Sequence, residues 1–178
     1  MLGPDGSFQR FYADDPQALA ATVVTAIERL VDARAAADAA NLLVLLNQVG
    51  ASLTVLGREA EAQPLLTEAL GLSRQLGDQA KEVEVLTNLA TAFQYLGQRE
   101  EAQALFAEAL AKAPGCAAWE QQDFILHHRG RCFVEQGAIN EARDCFEQAL
   151  IVRVSKNNPY YIASTRRALA ALASGNPK

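Results

Sequence analysis

Aromatic side chains are scarce in this chain: Phe, Tyr and Trp make up 7% of its 178 residues, with a single Trp. A core of large rings or a β-sandwich is thereby disfavoured, and close packing through Ala and Leu fits better. Cysteine is as sparse. Cys116, Cys132 and Cys145 form neither an even set nor a CxxC pair, which excludes a disulfide framework and an ordinary zinc module; free thiols in a reducing compartment are the reading. No apolar run approaches the roughly 20 residues that cross a bilayer, and the opening MLGPDGSFQR lacks the basic and apolar parts of a secretion signal. A cytoplasmic chain with no membrane partner is expected. Basic charge never gathers into a patch: 16 Lys and Arg against 21 Asp and Glu give a net charge of −5, so nucleic acid finds no electrostatic footprint. No nucleophile elbow, phosphate loop or HExxH sequence occurs. His128 and Cys132, four apart on one helix face, are two ligands where zinc takes four. Catalysis, cofactor and metal are therefore not expected.

What the chain has instead is a repeat, which decides the whole architecture. Gly57, Gly97 and Gly137 are spaced 40 apart, and the same step carries Ala62 to Ala102 to Ala142, Ala69 to Ala109 to Ala149 and Leu70 to Leu110 to Leu150. Glu61, Glu101 and Glu141 keep this register, and Gly50, Ala90 and Gly130 lie seven positions before each glycine. Each copy reads as an apolar-periodic stretch, a glycine, a second such stretch and a polar break, which predicts a helical hairpin. The glycines end the first helices because Gly takes the left-handed cap without a Cβ penalty. The small residues at 50, 90 and 130 let the paired helices approach, with Ala62, Ala102 and Ala142 opposite them and Leu53, Phe93 and Phe133 supplying bulk alongside. The repeated glutamates fall early in second helices, where they favour the helix dipole.

In the copy TNLATAFQYLGQREEAQALFAEALAKAPG, the residues Ala90, Phe93, Gly97, Ala102, Phe106, Ala109 and Pro114 resemble the tetratricopeptide repeat, with its small, aromatic, Gly, Ala, aromatic, Ala and Pro positions. The 40-residue step exceeds the usual 34 and is similar to the longer-helix variants of kinesin light chains and many bacterial regulators. The resemblance covers roughly residues 37 to 155. It departs from the family at Leu46, Leu86 and Leu126, where Trp is frequent, and at Arg129, where an apolar residue is usual. The implied fold is all-α, a right-handed α-solenoid of about eight helices, and the implied role is a scaffold for another protein.

Solenoid ends need caps, because an internal hairpin leaves an apolar face on either side. One period before Glu68 and Leu70 lie Glu28 and Leu30, so QALAATVVTAIERLVDARA is expected to be the second helix of a degenerate earlier hairpin, started by Pro16 after Asp14 and Asp15. Asn158 and Pro159 start a closing helix whose Leu169 and Ala170 match Leu89 and Ala90 two periods earlier. The expected division is a flexible tail at 1–15, an N-terminal capping helix at 16–36, repeats at 37–77, 78–117 and 118–156, and a C-terminal capping helix at 157–174. Phe8, Phe11 and Tyr12 are unusual in a tail; they are expected to pack on the first helix or to occupy a groove, this chain's own or a neighbour's.

First helices of successive hairpins line the concave face of such a stack, and positions one period apart form rows across it. One row holds Asn47, Thr87, His127 and Arg167; a second holds Ala51, Thr91, Arg131 and Ala171; a third holds Gln48, Asn88, His128 and Ala168. Val44, Val55, Tyr95, Phe124 and Val134 fall beside them. The rows become basic toward the C-terminal end, a mixture that suits a peptide. Family members that grip a C-terminal carboxylate use a Lys and Asn, then an Asn, then two cations four apart. The resemblance maps Asn88, His127 and Arg131 onto the second and third sets, while Asn47 and Ala51 replace the first. Carboxylate on Arg and Asn gains charge-assisted hydrogen bonds, and Asn88 also matches asparagines that hold a peptide backbone in kinesin light chain-like grooves. The predicted partner-binding residues are Asn47, Asn88, Thr91, Tyr95, Phe124, His127, Arg131 and Arg167, facing a protein or peptide with an acidic or C-terminal carboxylate group. The alternative is a sensory or oligomerisation module of a bacterial regulatory system, including a homodimer.

Overall fold

Among the described residues, six helix ends fall on a 20-residue grid, each fixed by one left-handed residue. Gly57, Gly97 and Gly137 have φ of 81°, 80° and 75°, and Ala37, Gly77 and Asn157 have φ of 53°, 68° and 54°. After each of the first three, the next amide (Arg58, Gln98, Ala138) donates back to the carbonyl of Leu53, Phe93 or Phe133 at 2.9 Å, the six-to-one bond that closes a helix C-terminus. The expected glycine stops are thus accompanied by a second, interleaved set that the glycine spacing alone does not announce.

The computed structural model describes residues 13–116 and 120–175; the aromatic tail residues Phe8, Phe11 and Tyr12 lie outside them. Among the described residues the helices are α1 Pro16–Ala35, α2 Ala39–Val55, α3 Glu59–Leu76, α4 Gln79–Tyr95, α5 Arg99–Lys112, α6 Gln122–Glu135, α7 Ile139–Ser155 and α8 Pro159–Ala173. Eight helices and no strand make the all-α solenoid that the repeat predicts. α2 with α3, α4 with α5 and α6 with α7 form three hairpins, flanked by α1 and α8. Starts are capped in register: Asp38 Oδ1 accepts from Asn41 N–H (3.1 Å), Asp78 Oδ1 from Lys81 N–H (3.0 Å) and Asn158 Oδ1 from Tyr161 N–H (3.3 Å). The third hairpin has Ala118 in that row. Its α6 begins only at Gln122, with no side-chain cap, and Pro114 and Gly115 stop α5 early. Both helices flanking this junction have 14 residues, against 17 in α2 and α4.

Small residues let each hairpin close, against partners one turn beyond those expected. A Cβ on Gly50 would lie 2.5 Å from Leu66 Cγ, and one on Gly130 would lie 2.8 Å from Phe146 Cε1. Leu66, Phe106 and Phe146 are fully buried, as are Ala62, Ala102 and Ala142 beside them. Arg129 is absorbed by polar company: its Nε donates to Gln103 Oε1 at 3.0 Å and its guanidinium lies 5.3 Å from the centre of the Phe133 ring. Successive second helices are tied by one ion pair repeated a period apart, Arg34 with Glu68 and Arg74 with Glu108. One face of α1 differs from that of α3, α5 and α7. The buried alanines 62, 102 and 142 correspond there to Thr22, and the buried alanines 69, 109 and 149 to Arg29, so exposed polar groups stand where a preceding first helix would pack.

Candidate functional site

α2, α4, α6 and α8 curve around a cavity of about 480 Å³ on the concave side. Seven of the eight sequence-selected residues line it: Asn88, Thr91 and Tyr95 from α4, Phe124, His127 and Arg131 from α6, and Arg167 from α8. Asn47 does not. It is 4% exposed, donates from Nδ2 to Glu84 Oε1 at 2.8 Å, and accepts at Oδ1 from Asn88 Nδ2 at 2.9 Å. The expected row of open polar groups is therefore partly a seam of internal bonds, in which Thr87 and Thr91 hydroxyls also donate to backbone carbonyls of their own helix.

Charge is distributed unevenly around the cavity. Glu84 gives the α4 side a carboxylate, paired with Lys81 at 2.8 Å. The opposite side holds Arg131, Arg153 and Arg167. Arg131 is buried, donates to the Tyr95 hydroxyl at 3.0 Å and lies 5.8 Å from the centre of that ring. The two histidines do not add charge. Burial, then the positive charge of Arg153 and Arg131, holds His127 well below the ordinary imidazole value. Burial, then Arg131 and Arg153, pushes His128 down to about 3. His128 keeps an accessible edge while its Nδ1 is enclosed, with no hydrogen-bond partner among the described residues.

Arg153, Tyr160, Tyr161 and Ser164 also line the cavity, and sequence reasoning missed them. Arg153 comes from α7, a second helix, and passes between α6 and α8. Its Nε donates to Asp123 Oδ2 at 2.9 Å, and Nη1 to Thr165 Oγ1 at 2.6 Å and to the Tyr161 carbonyl at 3.2 Å. Its guanidinium lies 5.4 Å and 5.2 Å from the Phe124 and Tyr161 ring centres, and these rings meet edge to face at 4.8 Å. Lys156 adds a second cation to Asp123 at 2.5 Å. The signal that would have revealed this cluster is a break in the rows. Arg153 follows Ala33, Ser73 and Ala113; Asp123 follows Leu43 and Val83; Thr165 follows Leu45, Val85 and Ile125. All of these positions are buried, so each polar residue enters a row that is elsewhere small or apolar, and Arg153 bonds to the other two.

Paired antiparallel helices, stacked in one register around a shared concave face, define an α-solenoid of helical repeats. The family model of the tetratricopeptide repeat matches residues 38–114, the first two hairpins, and the third continues their 40-residue register. Residues 38–114 are thus similar to tetratricopeptide repeats. Among solved structures the chain is similar to BtubC (BKLC) from P. vanneervenii, with 22% identity over 78% of this chain and a TM-score of 0.67. It spans 59% of the length of that protein. It is also similar to the nearly identical kinesin light chain TPR-like repeats of Podosopora anserina, at 15% identity over 92% of this chain and 89% of that one, TM-score 0.60. A variant of those repeats gives 15% identity and a TM-score of 0.62. At these identities the likeness is one of fold. No curated protein matches the chain.

Proposed function

We propose that the chain is a non-catalytic interaction scaffold that holds a segment of a partner protein, extended or helical, in its concave groove. Tetratricopeptide repeats bind other proteins as a class. The observation that carries the finer reading is that seven residues chosen from the sequence rows, the positions beside them and the family resemblance, on three different helices, line one cavity. Its aromatic walls and guanidinium side suit a segment with apolar side chains and a carboxylate. The test is to capture the partner, narrow it to its binding segment and titrate that segment against Asn88→Ala, Arg131→Ala and Arg167→Ala. At least one variant is expected to lose about 1 kcal/mol or more, the scale of a meaningful contact, and the loss at the arginines is expected to grow smaller as salt rises. Unchanged affinity in all three would overturn the groove assignment.

One observation favours assembly as a second reading. Val24, Ile27 and Val31 on α1 are 59%, 42% and 60% exposed, where the next two second helices carry Pro64, Thr67 and Gly71, then Ala104, Ala107 and Ala111. Sedimentation of the wild type and of Val24→Asp tests it: a dimer that the substitution dissolves supports the assembly module, and a monomer at every concentration removes it.

A further inference from the structure

Three properties of the cavity go beyond what a partner segment requires. Its volume, about 480 Å³, falls in the range of about 300–1,000 Å³ typical of small-ligand sites. Val55, Tyr95, Phe124, Tyr160 and Tyr161 give it apolar and aromatic wall area among polar and charged residues. The Asn88 amide nitrogen, which would hold a peptide backbone, is already bonded to Asn47.

The polar groups that remain select for an anion. Arg167 is exposed, lines the cavity and makes no ion pair among the described residues. The Arg131 guanidinium is buried against Tyr95, where low surrounding polarity strengthens a bond to an oxyanion. His128 lines the same hollow with part of its ring accessible, while its Nδ1 is enclosed. A neutral imidazole carries one donor and one acceptor, so with its proton on Nε2, which is not enclosed, it can donate to a ligand oxygen. The carboxylate on the far side, Glu84, is held by Lys81 and Asn47 and does not compete for the guanidiniums.

We infer that this hollow is a binding site for a small organic anion, a flat apolar body bearing one carboxylate or phosphate. The ring lies against Tyr95, Phe124 and Tyr161, and the anionic group meets Arg131, Arg167 and His128. The inference rests on the same groove as the scaffold reading but requires no partner protein.

Ligand-observed NMR on the full chain tests it with four probes: indole-3-acetate, phenyl phosphate, neutral tryptophol and acetate. Saturable one-to-one binding is expected for one or both aromatic anions, at least about tenfold tighter than for tryptophol or acetate, the scale of a charge-assisted contact. The tighter of the two names the anionic group. Arg167→Ala, at an exposed position that does not support the fold, is expected to weaken the preferred probe about tenfold. His128→Phe, which keeps a ring and deletes both nitrogens, is expected to weaken it severalfold with unchanged circular dichroism. Equal binding of tryptophol, no saturation by either anion, or an unchanged Arg167→Ala affinity overturns the inference. Partner binding that depends on the groove while both anions fail sinks only the small-ligand site. Anion binding that depends on Arg167 while groove substitutions leave the partner untouched sinks only the scaffold reading.

Discussion

The first two hairpins and the third share one backbone plan and differ in what fills it. Around α2 to α5 the rows that meet inside the stack are Leu, Val, Ala or Ser, and one continuous apolar core runs from Val23 to Cys132. Around α6 to α8 a second, smaller apolar cluster holds Val134, Ala142, Phe146, Ala168 and Leu172, and Asp123, Arg153 and Thr165 are buried near it. The capping residue is also missing from the third first-helix row, and the helices at that junction are shorter. A period can therefore preserve architecture while one copy departs in chemistry, and the candidate site lies against that copy.

The largest effect should come from splitting the buried pair. Asp123 and Arg153 side chains are 1% and 3% exposed, so Asp123→Ala or Arg153→Ala leaves a buried charge without its main partner and should cost about 3–5 kcal/mol in urea unfolding. The triple change Asp123→Val, Arg153→Ala and Thr165→Ile writes the residues one period earlier, Val83, Ala113 and Ile125, into the third hairpin's rows. It should recover stability to within about 1 kcal/mol of the wild type or exceed it, while weakening whatever the groove binds. A triple variant no more stable than the singles would mean that the polar cluster is not what separates the two regions.

Next in size are the small residues where paired helices touch. Gly130→Ala presses a Cβ to 2.8 Å from the Phe146 ring and should cost about 1–3 kcal/mol by overpacking. Ala90→Gly in the second hairpin removes a Cβ that fits against its neighbours and should cost about 1 kcal/mol through helix propensity. Thermal melts of the two variants show whether the third hairpin is the tighter; a stabilised Gly130→Ala would reverse that conclusion.

The smallest effect separates the regions by pH, since both histidines lie in the third hairpin. His127 and His128 have folded values below the ordinary 6.5, His128 at about 3. Below pH 6.5 the unfolded chain takes up protons that the folded chain refuses, so stability is full above that value and falls as pH drops toward the folded values. Carboxylates held low contribute only further down. Glu82 is one: burial raises it, but hydrogen bonds from Arg74 and Lys112 outweigh this and leave it below its ordinary 4.5. The melting temperature should thus decline between pH 6.5 and 5, and His128→Gln should flatten the decline. An equal slope in the variant would show that His128 takes up its proton in the folded state.

The hairpins were legible because their signal is repeated: a glycine or alanine recurring at 40 residues marks a helix end or a close approach whatever lies between. The seven cavity-lining residues were legible for the same reason, as positions in or beside the rows on first helices. Arg153 was not, since it belongs to a second helix and reaches the groove only because Ala or Ser elsewhere leaves that row short. Asn47 was read as open because row geometry gives a direction and not a bonding partner; the Glu84 and Asn88 side chains close over it. Arg129 looked costly from sequence alone, and Gln103, on a neighbouring helix, resolves it.

The ion pair that recurs between Arg34 and Glu68 and between Arg74 and Glu108 makes the joint above the first hairpin equivalent to the joint below it. A chain in which residues 38–77 are duplicated in tandem would meet, at its new junction, the contact that it already makes. The stack is in this sense extensible by whole units: lengthening it by one hairpin should enlarge the concave face by a fixed step, while an insertion of any other length would place side chains of the wrong kind in every later row.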